Sequence, residues 1–218
     1  ADGDAFACNS KTYGSSVDFT IRIAAPCSAE WTGAVSTDWN TAGNWCDNTV
    51  PTAGSDVVIN VANAAVISTD VSIASITLGA AANVTVNGSL NVGDISVAAG
   101  GALVIANDAN LFQSETAEST GVIKVQRNTV IKHLDYTIWS SPVMAQDLQA
   151  FSPNTLASRI YEYNTSSDTW AVTTGNFVAG KGVMFRAPNL FDDGYYPNAY
   201  TYQGTFTGTP HNGDITMN

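Results

Sequence analysis

A period of 19 residues, present in three copies between Val57 and Leu111, constrains this chain more than any other feature of its sequence. The first copy carries the apolar pairs Val57/Ile59, Ala65/Ile67 and Val71/Ile73. A shift of 19 lands on Ile76/Leu78, Val84/Val86 and Leu90/Val92, and a second shift on Ile95/Val97, Leu103/Ile105 and Ala109/Leu111. Each pair reads as a three-residue in-out-in strand followed by a corner. Gly79-Ala-Ala-Ala-Asn83, Asn87-Gly88, Gly93-Asp94 and Ala98-Ala-Gly-Gly101 supply corner residues that tolerate tight bends. Three strands per turn predict a triangular parallel β-solenoid of three rungs. A helix is disfavoured, because the apolar spacing is two and the segment is dense in Val, Ile, Thr and Gly. An antiparallel sandwich is the competing arrangement, but its strands are usually longer than three residues.

A coil of three rungs exposes backbone at both ends and needs caps. Trp31, Trp39 and Trp45 precede the first rung, and burial over an open end is the expected role for such large rings, with a sugar-stacking platform as the alternative. Beyond the coil, Gly121–Ile131 alternates and is expected to close it or to begin the next sheet. From Leu134 the sequence turns aromatic, with strand-like runs at Tyr136–Trp139, Arg159–Tyr163, Trp170–Val172, Gly182–Arg186 and Tyr200–Phe206. Gln146–Phe151 reads as a short helical turn. The expected class is therefore all-β, a short three-rung parallel β-solenoid flanked by β-sandwich-like segments. Its divisions are 1–26 (terminal strands of a preceding β-domain and a linker), 27–56 (Trp-rich cap), 57–133 (coil and closing strands) and 134–218 (a β-sandwich-like domain, incomplete at its end).

Charge and cysteine usage narrow the functional classes. Nineteen acidic against eight basic residues give a net charge of −11, which repels nucleic-acid backbones and anionic headgroups. No apolar run approaches the roughly 20 residues of a membrane helix. Cys8, Cys27 and Cys46 lack zinc-site spacing, so a disulfide is expected; Cys27–Cys46 flanks the Trp segment, and Cys8–Cys27 is its rival. Such bonding and the acidic, Asn/Thr/Ser-rich composition suit an extracellular protein. Ala1 follows no initiator Met and Thr209–Asn218 enters a strand without a closing element, so the chain reads as a piece of a longer one.

Catalysis is not expected. Between Arg22 and Lys124 there is no Lys, Arg or His, which leaves the coil without a cationic electrophile or a neutral-pH base. Asp56 and Asp94, with Ser75 between, follow the coil repeat and read as solvated corner caps, as do Asp70 and Asp108 about Ser89. His133 and His211 sit beside no nucleophile motif. No Thr array of the ice-binding kind exists on the outward positions. Two binding sites remain as candidates. Asp2 and Asp4 make a possible calcium site with other loop oxygens, although two carboxylates without a full ligand series more often cap a turn. Tyr195, Tyr196, Tyr200 and Tyr202 are the candidate ligand-binding aromatics, and a glycan-binding role requires them to be exposed.

Several of these segments resemble the large surface and secreted proteins exported by the type IX system of Bacteroidota, including gliding-motility adhesin-like proteins. Gly14-Ser-Ser-Val-Asp18-Phe19 is similar to the closing strand of a GEVED-type domain. Trp31-Thr-Gly, Asp38-Trp39-Asn, Gly43-Asn44-Trp45 and Val50-Pro51-Thr52 are similar to the lead-in that those proteins place before a short β-solenoid. Asp135–Val143, Phe151–Thr155 with Tyr161, and Thr209–Thr216 resemble the segments that follow. The resemblance implies an extracellular, modular, non-catalytic protein of adhesion or surface structure, and it brings no catalytic residues. Its expected partners are other domains of the same polypeptide, surface glycans or further copies of itself. The alternatives are a carbohydrate-binding segment of a secreted polysaccharide-degrading enzyme and a filament subunit.

Overall fold

The computed structural model describes residues 27–114, 116–189 and 198–216. It is almost entirely β and contains a solenoid of about four turns. The coil strands are β1 (Asp56–Ile59), β2 (Ala65–Ile67), β3 (Val71–Leu78), β4 (Asn83–Val86), β5 (Ser89–Val97), β6 (Ala102–Ile105), β7 (Asn110–Phe112), β8 (Ser119–Thr120) and β9 (Ile123–Ile131). Parallel pairing stacks Val57, Ile76 and Ile95 in one ladder, and Val84 lies between Ala65 and Leu103 in another. Every one of the apolar pair residues from Val57 to Ala109 is buried, as the 19-residue spacing predicts.

Two features depart from the simple triangle. First, β3 and β5 each run through a corner without a break: Val71 and Ile73 point inward, Ala74 and Ser75 turn the corner, and Ile76 and Leu78 point inward again. The small residues Ala74 and Gly93 stack at this corner, where a Cβ on Gly93 would collide with the Ala74 carbonyl oxygen. Second, the period breaks in the last turn. Leu90 faces Leu111 instead of Ala109, a slip of two residues that Asp108 absorbs with a φ of 65°. Leu111 is consequently only partly buried, against the expectation that it points fully inward. The fourth turn continues irregularly through Thr120 opposite Ser96 and Val125 opposite Ile105.

Below the first rung, the tryptophan segment behaves as an incomplete turn of the same coil. Glu30 pairs in parallel with Val58, and Asp38 with Val66. Those registers carry Trp31 beneath Ile59 and Trp39 beneath Ile67, with Trp31 N donating to Val58 O at 2.9 Å and Trp39 N to Val66 O at 3.1 Å. Trp45 wedges edge-on between both rings. A disulfide joins Cys27 to Cys46 around this segment; Cys8 lies outside the described residues.

The C-terminal part differs from the boundary expected at residue 134. β14 (Tyr200–Gly208) pairs antiparallel with all nine residues of β9, so it extends the coil's own second sheet, ordered β14-β9-β6-β4-β2. The remaining strands, β10 (Tyr136–Trp139), β11 (Ile160–Asn164), β12 (Thr169–Val172) and β13 (Val183–Arg186), form a separate antiparallel sheet ordered β10-β13-β11-β12. A single turn of helix, α1 (Leu148–Phe151), is capped by Asp147, whose carboxylate accepts from Ala150 N. Phe151 stacks on Phe206 with centroids 4.4 Å apart, and Gly204 gives its ring room, since a Cβ there would lie 2.5 Å from Cζ. Trp139, Phe177 and Phe185 complete this aromatic packing. One hydrophobic core therefore runs from Ala29 through the coil to Phe206. The sandwich-like part consists of this sheet laid on strands that belong to the coil, because β9 alone leaves an edge that β14 covers.

Candidate functional site

The three cap tryptophans are all buried, at 1%, 0% and 2% exposure for Trp31, Trp39 and Trp45, and none offers a ring face to a ligand. Trp31 Nε1 donates to Asn63 O at 2.9 Å and Trp45 Nε1 to Trp39 O at 2.8 Å. Asn44, fully buried, organises the loop that holds them. Its Oδ1 accepts from Val35 N and Ser36 N, and its Nδ2 donates to Asp38 O at 2.7 Å. All of this is consistent with closing a coil end.

The predicted tyrosines divide. Tyr195 and Tyr196 lie outside the described residues, as do Asp2 and Asp4. Tyr200 is 8% exposed, with its hydroxyl 3.5 Å from Pro188 O. Tyr202 packs edge-on to Trp139 and donates its hydroxyl to Phe151 O at 3.1 Å; burial raises its pKa above the usual 10.0. Neither meets the exposure that a stacking platform requires, because β14 joins the coil sheet and turns both rings into the interior. The one group of metal-capable side chains among the described residues, Cys27, Glu30 and Cys46, has both sulfurs in the disulfide.

A different set of aromatics meets the requirement. Strand alternation in the β10-β13-β11-β12 sheet turns Trp139, Ile160, Val183 and Phe185 into the core. The alternate residues make the outer face: Tyr136 opposite Arg186, Ile138 opposite Met184, Tyr161 opposite both Met184 and Val172, and Tyr163 opposite Trp170. Tyr136, Tyr163 and Trp170 are 41%, 41% and 44% exposed, and Ile138 and Val172 are more open still. The rings form two tilted pairs, Tyr136 with Tyr161 at 6.1 Å and Tyr163 with Trp170 at 5.2 Å. Tyr163 and Trp170 are direct cross-strand partners, whereas Tyr136 and Tyr161 meet over the intervening β13.

Polar groups border the rings at two ends. Arg159, fully exposed, donates from Nη1 to the Tyr161 hydroxyl at 3.1 Å, a contact that raises the guanidinium pKa further, and Tyr136 acts in the same direction. Arg186 Nη2 donates to Asn189 Oδ1 at 2.9 Å. At the far end the Tyr163 hydroxyl donates to Asp168, which raises the phenol pKa. Behind the β11–β12 hairpin lies a shallow cleft of about 370 Å³, whose charges are already matched by a Lys181–Glu162 ion pair at 2.9 Å. The sequence reading recognised these strands but not their shared face; the signal available was the period-two placement of Tyr136/Ile138, Tyr161/Tyr163 and Trp170/Val172.

Fold and site together define a class: a disulfide-closed, Trp-capped β-solenoid whose last sheet supports an antiparallel sheet with an exposed aromatic face. Within that class, the chain belongs to the family described as Domain of unknown function (DUF8693), whose model matches residues 30–218. No curated protein and no solved structure matches it.

Proposed function

We propose that the chain is a non-catalytic structural and adhesive module of a large secreted or cell-surface protein, a stiff β spacer that holds a binding sheet at a fixed orientation. The observation that carries this reading is the unbroken core from Ala29 to Phe206. Cap, coil and aromatic sheet share it, and all nine residues of β14 lie in antiparallel register with the coil's final strand. A load or a ligand on the sheet is thereby transmitted to the backbone ladder without a hinge. The Cys27–Cys46 bond supports an oxidising, extracellular location. The resemblance to type IX-exported surface proteins agrees with this setting. Among the described residues no helix is long and apolar enough to cross a membrane.

The test is a distance measurement between spin labels at Thr77→Cys on the coil and Thr169→Cys on the sheet, in a Cys8→Ser background with the native disulfide intact. A single narrow distribution is expected. A broad or bimodal one overturns the spacer. A second reading, a carbohydrate-binding segment, draws support from the exposed ring pairs on the outer sheet face.

A further inference from the structure

We propose that the outer face of the β10-β13-β11-β12 sheet binds an acidic polysaccharide, with its ring pairs stacking on sugar faces and Arg159 and Arg186 taking the carboxylate or sulfate groups. The inference rests on the adhesive reading above and assigns that reading a ligand class. Two observations favour an anionic glycan over other occupants of an exposed sheet face.

The first is charge placement. In a chain with only eight basic residues against nineteen acidic ones, two guanidiniums stand at the same end of this face, one across the strand pair from Tyr136 and one on the Tyr161 hydroxyl. Neither forms an ion pair among the described residues, whereas Lys181 on the opposite side of the sheet does. Guanidinium forks match carboxylate and sulfate oxygens in two-point geometry, and the exposed Arg159 has donors left after its bond to Tyr161. The second is the make-up of the rings. Three of the four aromatics on this face are tyrosines, two of them exposed and Tyr161 half-buried, and a tyrosine presents an apolar ring for sugar C–H groups and a hydroxyl for sugar O–H groups. A protein-binding face of this size is usually anchored by side chains that insert into a partner, whereas these rings lean on one another across the sheet, Tyr163 on Trp170 of the neighbouring strand and Tyr136 on Tyr161 over β13. The overall field opposes any polyanion: a net charge of −11 repels an acidic polysaccharide at long range as it does nucleic acid, so the ligand must be recognised at short range by these directed groups and by stacking.

The experiment immobilises the full chain and measures binding of polygalacturonate, dextran sulfate and neutral dextran, alongside sedimentation of the chain alone and flotation with vesicles containing phosphatidylserine. Expected are saturable binding of at least one acidic polymer, weak or no binding of dextran, and a partial loss with added salt. Carboxylate against sulfate preference separates the two anion sources. Arg159→Gln is expected to weaken binding about tenfold, the effect of one lost charge-assisted contact, and Trp170→Ala to weaken it at all salt concentrations, each with an unchanged circular dichroism spectrum. Thr77→Ala on the coil should leave binding as it was. Absence of binding to both acidic polymers, or equal binding by the wild type and Arg159→Gln, overturns the proposal. So does self-association abolished by Trp170→Ala, which makes the face a contact between copies, or retention on the anionic vesicles alone. A narrow spin-label distance together with no glycan binding rejects the ligand and leaves the spacer standing.

Discussion

Replacing Ile76 by Ala tests the coil where its packing is tightest. Ile76 is fully buried, with Val57 on one neighbouring rung and Ile95 on the other. The substitution removes three carbons, worth about 2.4 kcal/mol at roughly 0.8 kcal/mol per buried methylene. A cavity term adds to this, because hydrogen-bonded ladders on both sides prevent the neighbours from closing in, and the expected total is about 3–4 kcal/mol. For a chain of this length that corresponds to a fall in Tm of about 6–16 °C. Leu111→Ala is the matched comparison. An unbroken 19-residue register makes Leu111 an inward residue like Ile76; the observed slip leaves it partly exposed and opposite Leu90. Its loss is expected to be about 1 kcal/mol, from partial burial alone. Urea titration of both variants gives the difference directly, provided the m-value stays constant. Equal destabilisation refutes the slip, and a cost below about 1 kcal/mol for Ile76→Ala refutes the stacked ladder itself.

Three further expectations concern the cap and the aromatic core. Trp45→Phe should destabilise more than Trp39→Phe by about 1–2 kcal/mol, because the first strands the buried Trp39 carbonyl while the second removes an indole N–H that has no partner among the described residues; thermal melts of both variants decide it. Replacing Cys27 and Cys46 together by Ser opens a link between residues 19 apart and should cost about 3 kcal/mol, read as a shift in urea midpoint that reducing agent reproduces in the wild type. Burial raises the Tyr202 pKa in the folded state, so its contribution is intact below pH 10.0 and is lost as pH rises through the folded value. Stability measured between pH 9 and 11 should therefore decline less steeply in Tyr202→Phe than in the wild type, and equal slopes would exclude this residue as a source of the decline.

The repeat made most of the coil legible because side-chain direction alternates with every residue: a register error of one would turn every Val and Ile outward. The same reasoning explains where the reading stopped. The slip in the last turn is two residues, which preserves alternation, so Ala109 and Leu111 satisfy the apolar pattern under either register. What decides between them is backbone conformation at Asp108, in the left-handed region that Asp adopts more readily than most residues. The partnership of β9 and β14 was out of reach for another reason. About seventy residues separate them, and nothing in the alternation of Ile123–Ile131 names its antiparallel partner. Composition marked Leu134 as a change of domain, whereas the chain returns to finish the sheet it had left.

The aromatic site was half legible. Period-two alternation sorts the strands of the outer sheet into two sets, Tyr136/Ile138, Tyr161/Tyr163, Trp170/Val172 and Met184/Arg186 against Thr137/Trp139, Ile160/Glu162, Thr169/Ala171 and Val183/Phe185. Both sets are apolar enough to face a core, so hydrophobicity alone does not orient the sheet. The kind of aromatic carries more information than its count. Phe151, Phe177, Phe185 and Phe206 all lie inside, and the outer rings are tyrosines with one tryptophan. Tyr200 and Tyr202 are the exceptions, and each has a backbone carbonyl near its hydroxyl, Pro188 O and Phe151 O. A tyrosine is admitted to this core only where the chain supplies an acceptor, because an unpaired buried hydroxyl costs about 1–3 kcal/mol. On the outer face the Asp168 carboxylate accepts from Tyr163 and solvent is open to the other hydroxyls, and a ligand that displaces that solvent must replace its hydrogen bonds. Polyhydroxylated sugars do so and hydrocarbon surfaces do not, which is the physical ground for proposing a glycan over an apolar partner on a face with two exposed tyrosines, a half-buried third and two guanidiniums that form no ion pair among the described residues.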